Sequence, residues 1–210
     1  MRTTCISLLM AALMALPHTV TAQTSLRDIF TQMPDSLLPT LSRSDRLDLL
    51  DFIDANLTNE VPGALRGSAR LTMLTPSVLK LRLSPHAEMQ MCLLSNQATV
   101  CVITSVEAGG WDSSVRFYNL GWQMLDVEAY IDLPTTTDFI SRPDSMTDND
   151  YRNLLVAAGI PFIKADINDA STISFTYTSG NNADAQSREK LKPYITPVVE
   201  RKISIPRQGI

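Results

Sequence analysis

From Leu71 to Val102 apolar side chains recur at every second position, and that period restricts the possible folds more than any other feature of the chain. Leu71 and Met73, then Leu79, Leu81 and Leu83, then Met89, Met91 and Leu93, then Val100 and Val102 alternate with more polar residues. Successive side chains of a strand point to opposite faces, so a period of two reads as strands with one buried face. Thr75-Pro76-Ser77, Ser84-Pro85-His86 and Asn96-Gln97 separate the runs. Short runs joined by turns pair as antiparallel neighbours, so the segment predicts a β-meander. A further strand pair is expected at Ser113–Tyr118 and Trp122–Val127, after the turn signal Gly109-Gly110.

Helical periodicity precedes the meander. Leu26, Ile29, Phe30 and Met33 form one stripe, with Thr24 or Ser25 to cap its start and Pro34 beyond its end. A second helix is expected from Ser42, where Ser42 and Asp45 form a capping box, to about Leu57, with Leu47, Leu50, Ile53 and Leu57 facing inward. Pro134 to Asp148 reads as a surface loop. A third helix follows, capped by Thr147 and Asp150 and ended by Gly159. Ile163, Ala165 and Ile167 against Ile173, Phe175 and Tyr177 predict a second hairpin. Ser179 to Ser187 reads as a polar loop, and Val198–Ile205 as a last strand. The fold class is therefore α+β: N-terminal helices packed on a mostly antiparallel β-meander sheet, with a third helix before the C-terminal strands.

The first 22 residues read as a cleavable signal peptide: Arg2, an apolar run of 11 residues from Ile6 to Leu16, Pro17, then Val20-Thr21-Ala22 before Gln23. Such a run is shorter than the roughly 20 residues of a spanning helix, and no transmembrane span is expected elsewhere. Residues 23–210 are expected to form a single α+β domain, exported to the periplasm or cell surface of a Gram-negative bacterium. Loss of Arg2 leaves 17 basic against 22 acidic residues, a net charge of −5. Without a basic run the chain lacks the footprint of a nucleic-acid binder.

Cys5 leaves with the leader, so only Cys92 and Cys101 remain. With Asn96-Gln97 as a two-residue loop, Ser95 faces Ala98 and Cys92 lies opposite Cys101 in a non-hydrogen-bonded pair. Its Cα atoms would be about 4.5 Å apart, the short end for a disulfide. An exported compartment permits oxidation. The pair reads either as a disulfide or as two reduced, half-buried small hydrophobes.

His86 is the single histidine outside the leader and sits in a turn. Zinc sites need several His or Cys ligands, so no metal and no cofactor is expected. No Gly-x-Ser-x-Gly elbow appears. Asp45, Asp48, Asp51 and Asp54 recur every third residue of the second helix, and read better as its solvated face than as a cation site. Asn59–Gly67 has no Gly-Lys-Ser/Thr ending and is no phosphate loop. Trp111, Asp112, Tyr118 and Trp122 cluster in sequence after two glycines. They read either as the large end of a core or as a contact surface for a partner.

The run Ile29–Leu41, with its Met33-Pro34-Asp35-Ser36-Leu37-Leu38-Pro39 segment, then Asp45–Phe52, Gly67-Ser68, Thr104 and Asp112-Ser113…Phe117-Tyr118…Trp122, resembles a family of uncharacterised exported Bacteroidales proteins. The family is known as a domain of unknown function. The resemblance implies a Gram-negative envelope setting and carries over no catalytic residue. Two functions follow as expectations. One is a non-catalytic binding or interaction module for an envelope protein or small ligand. The other is a small glycan hydrolase using paired carboxylates, one of them Asp112, separated by roughly 5–10 Å.

Overall fold

The computed structural model describes residues 25–64, 67–178 and 189–206. The expected leader (1–22) and the whole polar loop at 179–187 lie outside them. Ten strands make two antiparallel sheets among the described residues. The larger sheet is a seven-stranded meander in sequence order: β1 (Val61–Pro62), β2 (Ser68–Leu74), β3 (Val78–Ser84), β4 (Ala87–Leu93), β5 (Thr99–Glu107), β6 (Trp111–Asn119) and β7 (Met124–Leu125). The smaller has the order β10-β9-β8, from Val198–Lys202, Thr172–Tyr177 and Ile163–Asp169. Helices α1 (Leu26–Gln32) and α2 (Arg43–Asp54) precede the sheets, and α3 (Thr136–Phe139) and α4 (Asp148–Ala158) lie between them.

The alternating residues of the meander bury one face against α1 and α2. Leu79, Leu81, Met89, Met91, Val100 and Val102 meet Leu26, Phe30, Leu41 and Leu49 there. The opposite face is buried too, which the alternation did not announce. Val78, Cys92, Cys101, Ile103, Val115 and Phe117 pack on Ala165, Ile167, Ile173 and Phe175 of the small sheet. The meander is thus a middle layer between helices and a second sheet. Leu154 and Ala158 seat α4 on Ile140 and Leu191.

Local chemistry sets the helix starts. Ser25 accepts from the Asp28 N–H, Ser42 and Asp45 close a capping box, and Thr147 accepts from the Asp150 N–H. Gly159 ends α4 with φ 68°, a left-handed conformation that favours glycine.

Two expected faces shift. Met73 is 45% exposed because a bulge between Leu71 and Met73 moves it off the core face. Leu47 is exposed as well, because the buried face of α2 is Arg46, Leu49 and Leu50, and Leu57 is exposed because the helix ends at Asp54, short of it. Arg46 has no exposed surface, and its guanidinium donates to the carbonyls of Met33 (2.6 Å) and Leu41 (2.8 Å) and meets Asp35 at 3.0 Å. Those carbonyls belong to the connector between the helices, so one cation stitches α1, the connector and α2 together.

Candidate functional site

The four aromatic and acidic candidates do not form one surface. Trp111 and Asp112 begin β6, and Tyr118 lies near its end. Seven residue steps along the strand separate Trp111 from Tyr118, or about 23 Å at strand rise. Tyr118 is buried on the helix-facing side, where Trp122 packs on it at 5.7 Å between ring centroids. Trp122 belongs to a turn rather than a strand: its φ is 61°, and the Asn119 side chain accepts from the Gly121 and Gln123 N–H groups on either side of it.

Trp111 and Asp112 sit where the small sheet meets the large one. The Lys164 ammonium lies 5.0 Å from the centre of the Trp111 ring, and the Trp111 carbonyl accepts from the Thr178 hydroxyl at 2.7 Å. Lys164 also meets Glu88 at 3.2 Å and Asp166 at 3.6 Å. Asp112 accepts the Ile163 N–H at 3.4 Å and Ser113 the Ala165 N–H at 2.8 Å. Gln90 accepts the Ile167 N–H at 2.9 Å and donates to the Ala165 carbonyl at 3.3 Å and to Asp166 at 2.8 Å. These three side chains occupy the open edge of β8, whose N–H groups at 163, 165 and 167 would otherwise await another strand. The crevice beside Asp112 holds about 110 Å³, room for a few waters.

Cys92 faces Cys101 directly, as the register requires, but the pair is of the other kind. Leu94 N–H donates to the Thr99 carbonyl and Glu107 N–H to the His86 carbonyl, so odd-numbered β5 residues bond to β4 and Cys101 is one of them. The physical reason is the loop. It has four residues rather than two, with Gln97 at φ 53° and Asn96 accepting from the Ala98 and Thr99 N–H groups. Two extra residues keep the pairing and exchange the bonded for the non-bonded positions. Both cysteines are free thiols, fully buried between the sheets rather than half-buried. A hydrogen bond with Cys92, and then burial, push the Cys101 thiol well above its usual range. His86 pairs with Glu107 at 2.8 Å on the surface, and Asp54 of the aspartate series pairs with Arg27 at 2.7 Å.

A concave surface absent from the expectations opens immediately after Trp122. The chain from Met124 to Leu133 curls into a hook around a groove of about 570 Å³. Its apolar lining comes from Leu125, Val127 and Ile131, with Met124 and Leu133 at 68% and 42% exposure. Asp126, Glu128 and Asp132 interleave with them, and among the described residues no lysine or arginine lines the groove. Tyr130 stacks on Phe117 at 4.7 Å, and Asp126 caps the 3₁₀ turn Val127–Ala129, which together hold the hook in shape. The pattern of acids among aliphatics was visible in the sequence. Only its first residues, Met124–Val127, fall in the strand expected at Trp122–Val127, and β7 itself spans just Met124–Leu125.

Known proteins match this chain in two comparisons. A family profile described as "Protein of unknown function (DUF3256)" covers residues 18–201. A solved domain of an uncharacterised protein from Porphyromonas gingivalis W83 is similar over 83% of this chain and 91% of its own, with a TM-score of 0.70 and 21% identity. At that identity the likeness is one of fold. Among curated proteins none matches. No helix among the described residues is long and apolar enough to cross a membrane.

Proposed function

We propose that this chain, which belongs to the DUF3256 family, is a non-catalytic interaction module of the bacterial cell envelope and that it makes its contact through the Met124–Leu133 hook. The observation that carries this reading is the groove itself. Solvent-facing methionine and leucine side chains on a concave, pinned surface leave apolar area that a partner can bury. Trp111 serves the reading less well, because its ring already carries Lys164. Export follows from the leader: removal of residues 1–22 would release the chain outside the cytoplasm, beginning at Gln23.

The test is recovery of partners from a bacterial envelope extract on immobilised wild-type, Trp111→Ala and Met124→Asp proteins. A partner retained by wild type and Trp111→Ala but lost with Met124→Asp supports the hook as the contact. Equal recovery on all three rejects the hook, and recovery of nothing above a blank resin rejects the interaction module.

A further inference from the structure

We infer that the hook takes an extended, cationic peptide segment in which an aliphatic side chain is flanked by lysine or arginine. The inference rests on the reading of the hook as a contact surface and adds the chemistry of what it contacts.

The hook offers two kinds of complementarity on one surface. The lining accepts one or two aliphatic side chains, since Leu125, Val127 and Ile131 pack on the core beneath it while Met124 and Leu133 are exposed to solvent. Three carboxylates alternate with those residues along the same hook. Asp132 keeps 91% of its side chain exposed, and its nearest cation, Arg201, approaches only to 4.0 Å while committed to Asp138. A neutral or anionic apolar ligand would have to bring its aliphatic group past three carboxylates, of which Asp132 alone has a cation within 4.0 Å among the described residues. A ligand with lysine or arginine on both sides of the aliphatic group meets them, and electrostatic attraction then also speeds encounter. A large flat partner fits less well, because the hook is concave and only about ten residues long.

The experiment uses the purified mature chain and three fluorescein-labelled synthetic peptides of equal length, built on Lys-Leu-Lys, Lys-Ser-Lys and Glu-Leu-Glu cores. Anisotropy titrations give Kd. The Lys-Leu-Lys peptide is expected to bind and the other two to bind at least tenfold more weakly. Asp126→Asn/Glu128→Gln/Asp132→Asn should weaken Lys-Leu-Lys binding about tenfold, roughly two- to threefold for each exposed pair. Asn at 126 can still cap its turn. Asp48→Asn/Asp51→Asn/Asp144→Asn makes the same change in net charge at exposed residues that do not line the groove and should leave Kd unchanged. Raising salt from about 0.1 M to 1 M shortens the screening length from about 10 Å to 3 Å and should weaken wild-type binding.

Equal binding of the Glu-Leu-Glu or Lys-Ser-Lys peptide overturns the inference, as does absence of all binding or an equal loss in the distant triple variant. A dimer that Met124→Asp dissolves, seen by sedimentation of the unliganded chain, also overturns it by making a second copy the occupant. Partner recovery that depends on Met124 without Lys-Leu-Lys binding leaves the interaction reading standing and rejects only the peptide chemistry.

Discussion

Gln90 seals the junction between the two sheets, and replacing it with leucine isolates what that seal contributes. The side chain is 2% exposed, so leucine takes its place with little change in volume and no new surface. What disappears are the acceptor for the Ile167 N–H and the donor to the Ala165 carbonyl, in residues that are 1% and 0% exposed. Each buried group left without a partner costs about 1–3 kcal/mol. The Ala165 bond is the longer of the two, and the third bond, to the part-exposed Asp166, can be replaced by water. Gln90→Leu should therefore lose about 2–4 kcal/mol, a large part of the 5–15 kcal/mol typical of a whole domain. Urea unfolding measures it as a lower midpoint with an unchanged slope.

Gln90→Glu sharpens the test, because it keeps an acceptor for Ile167 and places a carboxylate against the Ala165 carbonyl and Asp166. Burial and like charge would raise that carboxyl's pKa in the folded state. The variant's stability should then be greatest below the unfolded value of about 4.3 and fall as pH rises above it. A Gln90→Leu protein within about 0.5 kcal/mol of wild type, the range of ordinary surface substitutions, would refute the seal. So would a Gln90→Glu protein that gains stability relative to wild type as the pH rises from acid to neutral.

Arg46→Met should destabilise by roughly 2–4 kcal/mol, since it strands the Met33 and Leu41 carbonyls, and Arg46→Lys should recover only part of that because an ammonium lacks the fork. Thermal unfolding followed by circular dichroism reports it, and unchanged midpoints would remove Arg46 from the account of the helical layer. The two thiols should resist alkylation in the folded protein and react fully in denaturant without reductant. A mass two hydrogens lower before reduction would show a disulfide instead. Because the folded Cys101 pKa is raised, the stability it contributes is fully present below the ordinary thiol value of about 8.5 and is lost as pH rises beyond it. Cys101→Ser should flatten that alkaline decline. N-terminal sequencing of chain secreted by a Gram-negative host should begin at Gln23, and retention of Met1 would end the proposal of export.

The strands and helix starts were legible because they rest on neighbours in the chain. Ser42 and Asp45, Thr147 and Asp150, or Leu79, Leu81 and Leu83 are close in sequence, so spacing alone carries the physics. The pairing of Cys92 with Cys101 was legible for the same reason, since a hairpin's register is set by its turn. The parity of that pair was not, because it depends on whether Asn96 folds back onto the Ala98 and Thr99 N–H groups. The candidate site divided in the same way. Trp111 and Trp122 look close in sequence, but the nine-residue strand β6 carries them to its opposite ends, and the hook begins in residues that read as strand, Met124–Val127, and continues through residues with no local signal.

By itself the sequence determined the α+β class, the antiparallel meander and the helix-facing side of its core. A period of two and a capping box are short-range facts, and no distant partner has to be known to use them. Only the tertiary structure decided that the meander's second face is buried too, that Arg46 goes inside, and that Asp112, Ser113 and Gln90 complete the edge of β8. Each of those outcomes depends on which polar group a residue meets after the chain has travelled far: Gln90 finds Ile167 across 77 positions. Burial of a polar side chain follows from the partner that satisfies it, and that partner is named by the fold rather than by the neighbouring residues.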